Sequence, residues 1–352
     1  MEQKIFRTAL IGLGRIGWQI HLPALMANPD KFQVCAAVDP LEERGKEAEQ
    51  TFGIPHSYRS ISDMLADQKP DLAVVCSPTK FHAEQCIQLL ENGIDVFCDK
   101  PVASDLQETK AMFAAAEKYG KRLTVFQSRR VFPDTFTIKE ILQSGKLGKI
   151  YELKAFIGNY ARRNDWQAFK KHGGGMFRNY GVHYVDKMMY LLGEPLEPLM
   201  CQTACVASLG DADDVVKIVF RGKNSGIIAD LEINQASGYS PYVWAIYGSC
   251  GAAYLESYLG EWRLRYFDPA ELAPNSASDD LAAPGRKYPK ESSPIPFREE
   301  ILKRKEWKGF GEIFYENLYE YMTGKAEPLV PPSETIALME LLEKCRIMAE
   351  GC

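Results

Sequence analysis

The 352-residue chain has no apolar stretch near the ~20 residues that a bilayer crossing needs. Its first apolar run, in MEQKIFRTALIGLG, is too short for the core of a signal peptide and is broken by glycines, so no leader is expected. A cysteine framework is missing as well. The nine cysteines are scattered, and the closest pair, Cys201 and Cys205, has no second pair to complete a zinc site. Scattered thiols read as reduced, which points to a cytoplasmic protein. No metal site is expected. A basic excess is also absent: the net charge of −5 offers nucleic acid no general attraction. There is no internal repeat.

What the chain does have is the composition of a folded protein, 46% hydrophobic and 25% charged, at a length that suits two domains. In the first third, short apolar β-branched runs at 7–13, 32–38, 71–76, 94–98 and 122–126 alternate with amphipathic helical segments at 15–27, 41–52, 80–92 and 104–119. That alternation predicts right-handed βαβ crossovers and a doubly wound parallel sheet over residues 1–127. From about residue 130 longer, more polar strands follow one another at 149–158, 214–221, 225–236, 242–248 and 252–256. Residues 128–352 are therefore expected to form an α+β domain with a mostly antiparallel open sheet, a long surface loop over 267–298 and closing helices at 309–323 and 333–350.

The first strand runs into GLGRIG, which places Gly12, Gly14 and Gly17 in G-x-G-x-x-G spacing. The first glycine permits the tight turn, the second lets a pyrophosphate approach the backbone, and the third lets helix pack on strand. The helix start offers free N–H groups to the phosphates, with Arg15 and Ile16 inside the loop; Arg15 either meets the pyrophosphate or is solvated. Asp39 ends the second strand, where a carboxylate accepts the ribose hydroxyls of NAD and repels the extra phosphate of NADP. Asp39-Pro40 also reads as a helix N-cap followed by proline at the first helical position. Open sheets of this kind bind ligand beyond the carboxyl ends of their strands. The segments after the fourth and fifth strands, SPTKFH with Ser77, Thr79 and His82 and CDKPVAS with Asp99 and Lys100, border that crevice.

These features resemble one family. The glycine-rich turn, the Lys100-Pro101 pair and the GGGMFRNYGVHYVD segment at 173–186 are similar, in order and distance, to the glucose–fructose oxidoreductase, inositol dehydrogenase and MocA (Gfo/Idh/MocA) family. The stretches 125–153 and 247–256 resemble that family's domain junction and a later sheet strand. The resemblance implies a bound NAD or NADP, with NAD favoured by Asp39. It implies hydride transfer to or from a carbon of a sugar, glycoside or cyclitol, and assembly as a homodimer or homotetramer. The motif's catalytic lysine maps onto Lys100, and Gln127 stands beside Ser128 where the family commonly has asparagine. Two departures stand out: Asp99 replaces the usual glutamate, and Asn179 replaces the usual aspartate four residues before His183.

Asn179, His183 and Asp186 share one face if the segment is helical. Oxidising an alcohol removes a proton from oxygen as hydride leaves carbon, and His183 has the natural pKa to take that proton. Lys100 either shares it or holds the oxygen as a charged donor, and Asn179 orients a hydroxyl. Asp186 fixes the imidazole, binds a hydroxyl, or is an ordinary surface residue. Upstream, Tyr160, Arg163 and Trp166 are candidate substrate contacts, Trp166 as a platform for a sugar ring or as a packed loop residue. Two other functions fit the residues: a glycoside-cleaving enzyme working by transient oxidation and elimination, and a non-catalytic dinucleotide and sugar sensor.

Overall fold

The computed structural model describes residues 4–279, 281, 286, 293–307, 309 and 311–351. Six strands form the first sheet: β1 (Phe6–Ile11), β2 (Phe32–Val38), β3 (Ser57–Tyr58), β4 (Leu72–Val75), β5 (Asp95–Asp99) and β6 (Leu123–Phe126). All pair in parallel in the order β3-β2-β1-β4-β5-β6. β4, β5 and β6 are buried along their whole length, as strands covered by helices on both faces must be. The covering helices are α1 (Leu22–Met26), α2 (Glu42–Phe52), α3 (Ile61–Asp67), α4 (His82–Glu91) and α5 (Leu106–Lys118). The start of α5 is fixed by its sequence: Asp105 accepts the Glu108 N–H at 2.8 Å, and the Glu108 carboxylate accepts the Ser104 N–H at 2.9 Å.

Expectation and structure part in places. The helix expected over 15–27 is a π-helical turn at Gly17–His21 followed by the five-residue α1. After Asp39 the helix begins at Glu42, so Asp39 is not its cap; instead Oδ1 accepts the Leu41 N–H at 3.0 Å in a local turn. β3 and α3 had no strong pattern: a two-residue strand and a seven-residue helix carry too few periods to read.

The chain leaves the first sheet through a 3₁₀ turn at Ser128–Val131 and α6 (Pro133–Gln143). An eight-stranded sheet follows, in the order β14-β13-β12-β11-β7-β10-β9-β8. Its strands are β7 (Ile150–Gly158), β8 (Leu196–Ala204), β9 (Val215–Gly222), β10 (Ile228–Asn234), β11 (Trp244–Gly248), β12 (Gly251–Leu255), β13 (Trp262–Tyr266) and β14 (Arg298–Leu302). Every neighbour pair is antiparallel except β7 with β10. β8 escaped the sequence reading because Pro198 interrupts it, at a register shift on an edge. α7 (Val182–Leu192) lies on the inner face of this sheet.

The expected loop over 267–298 holds a short 3₁₀ turn at Pro269–Glu271, and its last residue, Arg298, opens β14; residues 280, 282–285 and 287–292 lie outside the described residues. The chain then returns to the first sheet. A π-helical turn at Gly311–Tyr315 leads into α8 (Glu316–Met322), and α9 (Pro332–Glu350) closes the chain. Tyr315 packs edge-on against Phe32 and Phe97, and its hydroxyl lies 2.8 Å from His21 Nδ1. The last forty residues thus complete the core of the first sheet as well as that of the second.

Candidate active site

Strand order reverses between β1 and β4, and the glycine loop sits there. Gly12 has φ +100°, and a Cβ on it would lie 2.7 Å from the Ser77 nitrogen, so the loop after β4 leaves no room for a side chain. A Cβ on Gly17 would lie 2.2 Å from the Gly12 carbonyl oxygen, whereas one on Gly14 would meet nothing within 4 Å. Turn, packing and open approach are thus divided among the three glycines as the spacing implied. Asp39 Oδ2 accepts the Leu13 N–H at 2.9 Å, which ties the tip of β2 to the loop, and Arg44 stands 3.4 Å from the same oxygen. Arg15 is exposed beside the loop and Ile16 half-buried under it.

The two turns beyond β4 and β5 are held together by one side chain. His82 is buried, with Nε2 2.7 Å from the Ser77 carbonyl and Nδ1 2.9 Å from the Pro101 carbonyl. Its ring therefore sets the spacing of the two turns. Ser77 donates to Gln85 Oε1 at 2.5 Å, and Thr79 opens a 3₁₀ turn. Gln127, at the end of β6, is buried with Oε1 lacking a partner among the described residues, an acceptor that invites a ligand N–H.

Lys100 reaches across the crevice. Its Nζ donates to the Asn179 carbonyl at 3.0 Å and to Asn179 Oδ1 at 3.1 Å. Burial drives this ammonium down to about 8; Asp99 opposes the change, while Arg129 and Arg15 add to it. Burial, then Lys100, then Arg129 push the His183 imidazole well below its ordinary value, so it is neutral at pH 7. His183 is only partly buried, and its Nδ1 is enclosed without a partner among the described residues. An ammonium lowered to about 8 and an uncharged imidazole thus share one electrostatic neighbourhood.

Asn179 lies in a π-helical turn at Phe177–Gly181, one turn ahead of His183. Of the three glycines before it, Gly174 and Gly175 are packing positions, while a Cβ on Gly173 would meet nothing within 4 Å. A Cβ on Gly174 would lie 2.2 Å from the Gln167 carbonyl oxygen, and Gly175 has φ +110° with Asp213 Oδ1 2.2 Å from its would-be Cβ. Asp213 also accepts the Phe177 N–H at 2.7 Å. The Asn179 amide donates to Gln167 Oε1 at 2.5 Å, so Gln167 belongs to the site although no motif marked it.

Asp186 does not join this group. Its carboxylate takes both forks of Arg130, at 2.6 and 2.9 Å, and Arg130 also donates to the Leu329 carbonyl at 3.0 Å and to Glu334 at 2.5 Å. Arg130 and Asp186 are 2% and 1% exposed, so this is an internal clamp joining the domain junction, α7 and α9. Neither the imidazole nor the solvent is its partner. Arg129, which the sequence placed only in a junction motif, spans Phe132 and Tyr184 with its guanidinium at 4.3 and 5.3 Å from the ring centres, and it helps depress both Lys100 and His183. Tyr184 and Tyr258 share a hydrogen bond next to it.

The upstream candidates separate. Trp166, 50% exposed, lines a cavity together with Thr79 and Pro101. Tyr160 is 64% exposed and bridges to Ala236, and Arg163 is paired with Asp165 at 3.0 Å. Among the described residues no His, Cys, Asp and Glu group is placed to hold a metal ion, and no helix is long and apolar enough to cross a membrane.

The fold has known counterparts. Residues 6–127 match a family model described as "Oxidoreductase family, NAD-binding Rossmann fold", and residues 136–254 match the GFO/IDH/MocA C-terminal domain. Together the two models take in more than half of the chain, which belongs to the Gfo/Idh/MocA oxidoreductase family. Among curated relatives, D-glucoside 3-dehydrogenase of Escherichia coli is 30% identical over 55% of this chain and 56% of its own length. The scyllo-inositol 2-dehydrogenase (NAD(+)) of Bacillus subtilis is 27% identical over 72% of this chain and 75% of its own length. The chain spans about half the length of the curated relatives it matches at 30–31% identity. An NAD-binding protein from Listeria innocua superposes with a TM-score of 0.83 at 25% identity, over 99% of this chain and 96% of that one.

Proposed function

We propose that this protein is an NAD-dependent oxidoreductase that moves a hydride between nicotinamide and a secondary alcohol carbon of a sugar, glycoside or cyclitol. The observation that carries the reading is that Lys100, lowered to about 8, donates to Asn179 one helical turn before His183, and that its charge helps keep the His183 imidazole neutral at pH 7. Gly14 leaves room for a pyrophosphate in a turn that Gly12 and Gly17 keep tight, Asp39 stands ready for the ribose hydroxyls, and Gln127 offers an unfilled acceptor to an amide. Bound NAD supplies the hydride acceptor. Arg44, 3.4 Å from Asp39, would favour a phosphate, but the Asp39 carboxylate favours NAD over NADP.

In the proposed reaction His183 takes the alcohol proton. Lys100, as the ammonium, holds the same oxygen and stabilises its developing charge, while Asn179 orients the amine and a neighbouring hydroxyl. Of the upstream candidates, Trp166 lines a cavity with Thr79 and Pro101, Tyr160 is exposed, and Arg163 is held by Asp165. The open face of the second sheet carries Tyr151 stacked on Tyr247 at 6.3 Å, a surface suited to a homodimer or homotetramer.

One observation favours a second reading. Asn179 gives Lys100 no carboxylate partner, so the lysine can pass between charged and neutral forms near pH 8, which suits a proton shuttle in oxidation followed by elimination of a glycosidic bond. Incubation with NAD and a glycoside panel separates the readings. NADH accumulation supports the first, aglycone release without net NADH supports the second, and binding with neither leaves a sensor.

A further inference from the structure

Beside the crevice lies a second built feature, a cavity of about 270 Å³ between the start of α5, α9 and the 166–178 segment. Its walls include Pro101, next to Lys100, and Arg178 and Val182, each next to one of the two residues Asn179 and His183. The cavity thus adjoins the catalytic group, one residue away on each wall. Its floor is apolar, made by Leu106, Phe177, Val182, Met339 and Leu342 with Trp166 at one edge.

Its rim is cationic. Lys80, Lys170, Lys171 and Arg178 all line it and all are exposed. The acids there are already engaged: Glu343 pairs with Arg346 at 2.8 Å, and Asp105 caps α5 by accepting the Glu108 N–H at 2.8 Å. Four cations converging on one cavity repel each other, and an anion seated among them relieves that repulsion; a neutral ligand does not. An apolar floor under such a rim selects a body with non-polar faces.

We propose that this cavity is a binding site for an organic anion: a sugar or aryl body carrying one carboxylate or phosphate. The anion is either an arm of the substrate whose carbinol meets Lys100 and His183 or a separate effector. Binding there does not depend on the chemistry proposed for the crevice.

Phenyl phosphate is a suitable probe, with phenol and inorganic phosphate as half-probes, measured by isothermal titration calorimetry on the full chain. Phenyl phosphate is expected to bind more tightly than either half-probe by tenfold or more, and to weaken as salt is raised from 20 to 200 mM. The exposed pair Lys170→Glu and Arg178→Glu should reduce its affinity by tenfold or more while NAD affinity stays within twofold. Lys171→Glu provides an independent check at another exposed position of the rim. Equal binding of phenol and phenyl phosphate, or an affinity indifferent to both charge reversal and salt, overturns the proposal. Where glycoside turnover is observed, competition between phenyl phosphate and the glycoside assigns the anion to the substrate, and a change in kcat without competition assigns it to an effector. Absence of turnover over the whole glycoside panel, with phenyl phosphate binding intact, strikes the oxidoreductase reading and leaves this site standing.

Discussion

Changing Asn179 to Asp adds one charge at a defined place with almost no change of shape. Oδ1 of Asn179 lies 3.1 Å from the Lys100 ammonium, which burial holds at about 8. At an effective dielectric of about 20, a carboxylate at that distance is worth about 5 kcal/mol, a ceiling because solvent and relaxation weaken it. Carboxylates this close shift a partner by about 1–3 pH units. Asn179→Asp should therefore raise Lys100 from about 8 to between about 9 and 11. Gln167, which now accepts from the Asn179 amide, can turn its own amide to donate to the new carboxylate, so the local packing survives. The titration is read by NMR on protein labelled at the lysine ε-carbon. Two lysines should titrate near 8 in the wild type, Lys100 and Lys187, and Lys100→Met identifies the first by its loss. A Lys100 signal that titrates at the same pH in both proteins, or one already at the ordinary lysine value in the wild type, refutes the electrostatic account of the site.

Other consequences follow from the same contacts. The folded state holds Lys100 at about 8 against 10.5 unfolded, so the unfolded chain binds more protons between those values and stability rises with pH across that window. Relative to Lys100→Met, the wild type should gain about 3 kcal/mol as pH rises from 7 to 11, measured by denaturant unfolding. Asp186→Ala leaves Arg130 buried without its main partner and should cost about 3–5 kcal/mol, with the Lys100 titration unmoved. An Asp186→Ala protein of wild-type stability contradicts the clamp. Gly17→Ala places a Cβ 2.2 Å from the Gly12 oxygen and should weaken NAD binding by tenfold or more, read by calorimetry.

Much of the nucleotide half was legible because its signals are local. The strands at 32–38 and 95–99 are short apolar runs between helices, and the glycine spacing names a backbone geometry that three residues satisfy in three different ways. Lys100 was legible as the residue just past the fifth strand, before Pro101. The polar face of 179–186 was only partly so. Periodicity places Asp186 within three residues of His183 but says nothing of Arg130, which comes from fifty-six residues earlier in the chain and claims that carboxylate. Gln167 and Arg129 were missed because their roles arise from side-chain packing, Gln167 from a contact twelve residues away and Arg129 from contacts with segments far along the chain, and neither carries a local pattern. β13 and β14 are short edge-side strands, and β8 contains a proline, so their pairing, not their composition, makes them strands. Tyr315 supports the first sheet from the far end of the chain, which no reading of the first third alone reveals.

The central claim is that one amine and one imidazole act together on a carbinol set against nicotinamide. The direct test is NADH formation at 340 nm over a panel of sugars, glycosides and cyclitols, by the wild type, Lys100→Ala and His183→Ala, with NAD affinity measured on the same samples. The account predicts turnover of at least one panel member by the wild type, a fall in kcat of about 10²–10⁴-fold in each variant, and NAD affinity kept within a few-fold. Unchanged turnover in both variants contradicts it.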